Sequence, residues 1–155
     1  MRGRILMVAL TLTLALGATS GCKQVRRMLG ITTTIDNPDE GTPEALVRDV
    51  IAAALMADET KGWEAFRKLL HSDQLRSGVS EKSWRTMNYP ALRRKVRLYL
   101  EDDTMPVYEL AYAEEVAPTS VKLFVANEKS EVPTPCTLKP DAEQGGAWRI
   151  SICSL

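Results

Sequence analysis

Residues 107–127 read VYELAYAEEVAPTSVKLFVAN, and this stretch decides the fold class. Apolar side chains recur at every second position in each half of it. An alternation of period two is typical of a β-strand with one buried face. Pro118, between the halves, favours a turn. The stretch therefore predicts strands over 107–115 and 119–127. The residues expected to share the first strand's apolar face are Tyr108, Leu110 and Tyr112.

Two further strands are predicted toward the C-terminus. A weak one begins at Pro133-Thr134-Pro135, since proline is tolerated at strand starts and edges. The last strand is clearer, because Trp148, Ile150 and Ile152 alternate with polar residues. The glycines of Gln144-Gly145-Gly146 favour a turn just before it.

The part of the chain before these strands has a helical pattern. Thr42-Pro43-Glu44 is typical of a helix start, because it offers a capping hydroxyl, a first-turn proline and an acid near the positive end of the dipole. Apolar residues at helical spacing then predict a helix over 43–57. A second helix is predicted from Lys61 to His71, with Trp63 and Phe66 in its apolar stripe.

A third helical segment is predicted to begin at Ser80, whose hydroxyl can cap it, and to carry Trp84 and Met87. Pro90 is expected to interrupt this segment, because proline disfavours helical geometry at the residue before it. A helix then restarts and runs to about Tyr99.

Helices precede strands, and this order indicates an α+β domain over residues 43–155. The expected architecture has N-terminal helices packed on a curved antiparallel sheet of about four strands. With this element order and the closing strand Trp148-Arg149-Ile150, the sequence resembles the nuclear-transport-factor-2-like superfamily, also called cystatin-like. No motif of that family is matched residue by residue. The resemblance implies a cone-like domain with a pocket between helices and sheet.

Enzymes of that superfamily, such as the ketosteroid-isomerase-like group, place an acidic base and a tyrosine in this pocket. The resemblance makes Tyr99, Tyr108 and Tyr112 candidate pocket-lining residues. No acid of this sequence matches the role of the base. Tyrosines on a half-buried strand face more often pack in the core with a solvated hydroxyl, and core packing is the favoured interpretation.

The N-terminus has the pattern of an export signal. Arg2 and Arg4 precede a 12-residue apolar run, which is too short to span a membrane and fits a cleavable signal over 1–21. Thr19-Ser20-Gly21-Cys22 resembles the lipobox of bacterial lipoproteins, although threonine stands where leucine is usual. The resemblance implies lipid attachment to Cys22 and cleavage before it. The alternative is an ordinary secretory signal with a cysteine near its end.

Residues 22–42 are predicted to be a flexible tether between the lipid and the domain. Lys23 follows the cysteine, and by resemblance to other lipoproteins this favours an outer membrane, with the domain in the periplasm or at the cell surface. The whole chain has 20 basic and 20 acidic residues. Loss of the signal removes two of the basic ones, so no broad basic surface is implied and nucleic acid is an unexpected partner.

The remaining cysteines, Cys136 and Cys153, predict a disulfide, since an even pair in an exported protein is usually bonded. The alternative is two buried free thiols. Direct pairing of the two cysteines in a hairpin places Leu138 opposite Ser151. A slip of one residue pairs Leu138 with Ile150 but separates the cysteines. A β-bulge between these positions would allow both the pairing of the two cysteines and the pairing of Leu138 with Ile150.

No catalytic constellation, metal site or cofactor is predicted. The chain lacks a Cys-x-x-Cys pair, and His71, its single histidine, is expected to complement the C-terminal end of a helix. The basic cluster Arg93-Arg94-Lys95-Arg97 is expected to be a solvated face, with an anionic partner as the alternative. The sequence therefore favours a non-catalytic envelope module that binds an envelope protein or a small ligand. The alternative is a small enzyme or ligand carrier that uses the cone pocket.

Overall fold

The computed structural model describes residues 31–117 and 119–155. The predicted signal peptide, Cys22 and the first part of the predicted tether, up to residue 30, lie outside these residues, whereas residues 31–42 of the tether are described. The strands, in chain order, are β1 (Thr33–Ile35), β2 (Tyr108–Ala117), β3 (Ser120–Asn127), β4 (Ser130–Asp141) and β5 (Ala147–Cys153). The α-helices are α1 (Pro43–Leu55), α2 (Glu59–Arg67), α3 (Ser72–Arg76), α4 (Gly78–Ser83) and α5 (Tyr89–Lys95). A π-helix (Trp84–Asn88) and two 3-10 turns (Val96–Tyr99 and Ala142–Gln144) complete the described elements.

The α+β class is confirmed. The five strands form one antiparallel sheet in the order β1-β2-β3-β4-β5, so each strand pairs with its neighbour in sequence. The helices cover one face, and the core between the two layers is continuous. Its fully buried members include Val47, Ile51, Phe66, Leu123 and Leu138. In the described part of the chain, no helix has the length and apolar character needed to cross a bilayer.

The sheet has one strand more than the sequence predicted. The additional strand is β1, which lies in the segment expected to be a flexible tether and pairs Ile35 with Tyr108 and Thr33 with Leu110. Ile35 packs against the core. Three residues are too few for a period-two pattern to be recognised, and this explains why the strand was missed.

The first helix follows its predicted start. Thr42 Oγ1 accepts a hydrogen bond from Ala45 N at 3.2 Å, and Pro43 occupies the first turn. The second helix begins earlier than predicted, because Asp58 caps it by accepting from Thr60 N and Lys61 N. The third helical segment also begins earlier, since Ser77 rather than Ser80 provides the capping hydroxyl.

The predicted interruption at Pro90 is wrong. From α4 the chain continues through the π-helix and α5 to the 3-10 turn, without leaving helical geometry. Tyr89 N donates to Trp84 O, five residues back, so the backbone is wider just before Pro90. A π turn accommodates a residue that breaks the ordinary ladder. We call this continuous segment, residues 78–99, the helical rod. Its end at Tyr99 was predicted correctly.

The β4–β5 hairpin combines the two predicted registers. Cys136 lies opposite Cys153 and Thr137 opposite Ile152, whereas Leu138 lies opposite Ile150. The shift of register between Thr137 and Leu138 is the predicted bulge. It reverses the facing of the residues beyond it, so Ile152 is 61% exposed instead of sharing the buried face of Ile150.

The outer edge of β5 is covered by the chain after α2. Ile150 N donates to Leu69 O and His71 N donates to Ile150 O, both at 2.8 Å. Leu70 thereby forms a parallel bridge with Ile150, the middle residue of the strand. These bonds occupy backbone groups that an edge strand otherwise leaves unpaired.

Candidate functional site

The predicted tyrosine cavity is not assembled as expected. Tyr108 is fully buried, and its hydroxyl donates to Glu44 O at 3.0 Å in the first turn of α1. Burial raises the pKa of this phenol well above its ordinary value, and the nearby Glu44 carboxylate adds to the effect. Tyr108 therefore joins the sheet to α1 as a neutral hydrogen-bond donor.

Tyr99 is also buried, at the end of the helical rod. Its hydroxyl lies 3.1 Å from Thr134 Oγ1 on β4. The hydroxyls of Tyr99 and Tyr108 thus have different partners on different elements. Both side chains belong to the core, in agreement with the favoured interpretation.

Tyr112 lies on the other face of the sheet, which corrects its assignment as a pocket residue. A register shift between Leu110 and Tyr112 reverses the alternation of β2. Tyr112 consequently pairs with Phe124, and the two rings stack with centroids 4.2 Å apart. The period-two pattern could not reveal this change, because a bulge inserts one residue without altering the composition of the strand.

The buried carboxylate in the described part of the chain is Asp141, and its hydrogen bonds are made to Ser72, Glu143 and Gln144 rather than to a tyrosine. Its Oδ2 accepts from Ser72 N at 2.8 Å and Gln144 Nε2 at 3.1 Å. Its Oδ1 accepts from Ser72 Oγ at 3.1 Å and Glu143 N at 3.0 Å. Asp141 therefore links the first turn of α3 to the β4–β5 hairpin.

The charge of Asp141 is stabilised by these donors. Burial alone would raise the pKa of the carboxyl, but the hydrogen bonds from Ser72 and Glu143 outweigh burial and hold the pKa below its ordinary value. All four bonds are made to protein groups. The arrangement fits a structural carboxylate rather than a general base, which needs an accessible lone pair.

His71 lies at the start of a helix, whereas the sequence predicted it at the C-terminal end of one. It precedes α3, and its Nδ1 accepts from Asp73 N at 3.2 Å, so it caps a helix start. The predicted helix from Lys61 to His71 ends at Arg67 instead. No group of three or more His, Cys, Asp or Glu residues in the described ranges has a metal-binding arrangement.

A groove that the sequence did not indicate lies between α2 and the helical rod. Its cavity volume is about 450 Å³. The lining residues come from the start of α2 and from the rod around the π-helix: Glu59, Thr60, Trp63, Arg85, Thr86, Tyr89 and Pro90. Because the sequence predicted a break at Pro90, it gave no reason to place these two segments side by side.

The groove combines a rigid aromatic floor with charged walls. The rings of Trp63 and Tyr89 meet edge to face, with centroids 5.6 Å apart. The Tyr89 hydroxyl donates to Ala53 O at 2.9 Å, and burial raises the pKa of this phenol. Glu59 and Arg85 contribute opposite charges. Both rings are buried, so the groups that a ligand would meet are mainly those of the polar and charged wall residues.

The predicted disulfide pair is close enough to bond. Cys136 and Cys153 lie within disulfide distance on paired strands, and their Cα atoms are 4.0 Å apart.

No protein-family profile matches the chain, and searches of curated proteins and of solved structures find no match either.

Proposed function

We propose that this protein is an exported lipoprotein of the bacterial cell envelope, anchored through lipid on Cys22, with a non-catalytic domain that binds a partner or small ligand. The observation that carries the export proposal is the pairing of Cys136 with Cys153. Disulfides persist in oxidising compartments outside the cytosol. The pairing also accounts for two of the three cysteines and leaves Cys22, in its lipobox-like context, for acylation.

The groove between α2 and the helical rod is the proposed binding site. Its occupant is a small ligand or a partner's side chain with polar or charged groups, which Glu59 and Arg85 in the groove walls can bind. The alternative is a small enzyme or ligand carrier that uses a pocket between helices and sheet. The partnered hydroxyls of Tyr99 and Tyr108 favour the non-catalytic proposal over it.

Mass spectrometry of the mature N-terminus tests the anchor. We expect the chain to begin at Cys22 and to carry the mass of several acyl chains, because one acyl chain binds a membrane only marginally. A chain cleaved elsewhere, or an unmodified Cys22, would contradict the lipoprotein proposal.

Capture of partners from detergent-solubilised membranes tests the groove. Thr86→Trp places a large ring on the groove wall, whereas Asn88→Trp adds the same ring to an exposed position of the π-helix that does not line the groove. We expect an envelope component that co-purifies with the unmodified protein and with Asn88→Trp, but not with Thr86→Trp. Equal capture by both variants would place the binding site elsewhere.

A further inference from the structure

The helical rod concentrates positive charge in an otherwise acidic domain. Residues 82–97 contain six basic residues and no acidic one. They are Lys82, Arg85, Arg93, Arg94, Lys95 and Arg97. Residues 31–155 together contain 15 basic and 20 acidic residues, so nine basic residues accompany all 20 acids outside this stretch. The basic residues are therefore concentrated in one stretch of the sequence.

Arg93 is the inward member of the six. Its guanidinium donates to Ala54 O at 3.1 Å and Met56 O at 2.6 Å, and so satisfies carbonyls at the C-terminal end of α1. This bonding is structural. It leaves five other cations on the rod.

The remaining five cations are exposed and belong to none of the ion pairs found in the described residues. Trp84, Tyr89, Leu92 and Val96 occupy the buried side of the rod. We call the exposed side the basic face, defined by Lys82, Arg94, Lys95 and Arg97, whereas Arg85 lies in the wall of the groove beside Tyr89. At about 1.5 Å per residue, the basic face extends over about 22 Å from Lys82 to Arg97.

Apolar side chains protrude among these cations. Val79 is 80% exposed and Met87 is 65% exposed, and both lie on the rod. Apolar side chains among cations on an exposed helical surface are typical of helices that lie on a bilayer, where cations meet the head groups and apolar groups enter the acyl boundary.

We propose that the basic face is a docking surface for a bilayer containing anionic phospholipids. Exposed cations that take part in no ion pair of the described residues match the negative head groups of such a bilayer. The inference goes beyond the proposed anchor, because it concerns residues 78–99 and requires no lipid on Cys22. Attachment and docking are therefore separable by experiment.

Vesicle co-sedimentation tests the proposal. The protein is the mature chain from residue 22 with Cys22→Ser, which removes the acylation site. Phosphatidylcholine vesicles, with and without phosphatidylglycerol, are compared at low and high salt. We expect binding to the phosphatidylglycerol vesicles alone, weakened by salt because screening shortens the range of exposed charges. Glycerol phosphate in solution at the same charge concentration should not compete.

The decisive variant is Arg94→Gln, Lys95→Gln and Arg97→Gln in one chain. Each cation near an anionic surface contributes about fivefold in binding, so the triple variant should bind on the order of a hundredfold more weakly. The matched control carries Lys61→Gln, Lys68→Gln and Lys129→Gln, which removes the same charge from exposed positions elsewhere. Circular dichroism verifies that both variants fold.

If both triple variants bound the phosphatidylglycerol vesicles equally weakly, the effect would depend on net charge alone and the proposal would be overturned. Binding to phosphatidylcholine alone, absence of binding to phosphatidylglycerol, or displacement by glycerol phosphate would also overturn it. An unmodified Cys22 in the mass spectrum refutes the anchor without affecting this result.

Discussion

At the scale of single residues, Asp141 shows how a buried charge is retained. A carboxylate removed from water is stable only when hydrogen bonds replace its hydration, and both of its oxygens accept bonds from protein donors. Because Ser72 and Gln144 belong to segments far apart in sequence, the charge fixes the position of one relative to the other.

We expect Asp141→Asn to lower the free energy of unfolding by about 1–3 kcal/mol, since the amide presents a donor where the carboxylate accepted one. Urea unfolding at neutral pH measures the change. Glu131→Gln, at an exposed position of β4, is the control and should alter stability little. An unchanged stability of the Asp141 variant would contradict the structural role given to this carboxylate.

The same carboxylate predicts a pH dependence. Its folded pKa lies below the ordinary value of 3.8, so its ionisation stabilises the fold above that value. This stabilisation is lost as the pH falls through the folded pKa. The difference in unfolding free energy between the unmodified protein and Asp141→Asn should therefore narrow as the pH falls from above 3.8 through the lower, folded pKa. A difference that stays constant over this pH range would mean that Asp141 does not titrate differently in the folded state.

Gly62 is a second residue with a structural role, and this role is steric. A Cβ there would lie 2.2 Å from the Tyr89 hydroxyl and 2.7 Å from Ala53 O. We expect Gly62→Ala to destabilise the fold by about 1–3 kcal/mol through this overpacking. Gly78→Ala is the matched control, because a Cβ at Gly78 meets nothing within 4 Å and alanine favours helix. Thermal unfolding of the two variants should shift the midpoint in opposite directions.

At the scale of elements, the disulfide and the bulge determine how β5 is held. The bond closes a loop with a sequence separation of 17 residues and should contribute about 3 kcal/mol in the chain-entropy model. Ile150, by contrast, is also held by Leu69 and His71 from its other side. The middle of β5 and its C-terminal end therefore depend on different contacts.

We expect Cys136→Ala with Cys153→Ala to lower stability by about 3 kcal/mol and to speed hydrogen exchange most near Cys153. The amide of Ile150 should keep more of its protection, because its bond to Leu69 remains. Exchange followed by mass spectrometry distinguishes the two regions. Loss of protection spread evenly over β5 would show that the strand is held as one unit.

The elements also show what the sequence could and could not predict. The caps of α1, the period of β3 and the bulged register of the last hairpin depend on local patterns, and these predictions are confirmed. The facing of Tyr112 and the continuity of the rod through Pro90 were predicted wrongly. In both cases one residue was accommodated by a backbone irregularity, a bulge or a π turn, that side-chain periodicity does not encode. The groove was missed for the same reason, since it depends on that continuity.

At the scale of the whole molecule, the described domain begins before the first helix. Ile35 on β1 packs against the core and pairs with Tyr108. We expect Ile35→Ala to lower the free energy of unfolding by about 1–2 kcal/mol, because the side chain is half-buried. Thr33→Ala, at an exposed position of the same strand, should have little effect in the same urea titration. If neither variant changed the free energy of unfolding, β1 would contribute nothing to the stability of the domain.

The covering of β5 by Leu69–His71 limits how copies of this protein can associate. A sheet can continue through many molecules only if each copy has two open edge strands, one that pairs with the preceding copy and one that pairs with the following copy. Among the described residues, the middle of one terminal strand is already bonded, so the addition of a further strand is favoured at the side of β1. Two molecules that met through that side would use the open edge of both, and the assembly would stop at a pair. The covered edge thus disfavours filaments in which the sheet continues from one molecule to the next.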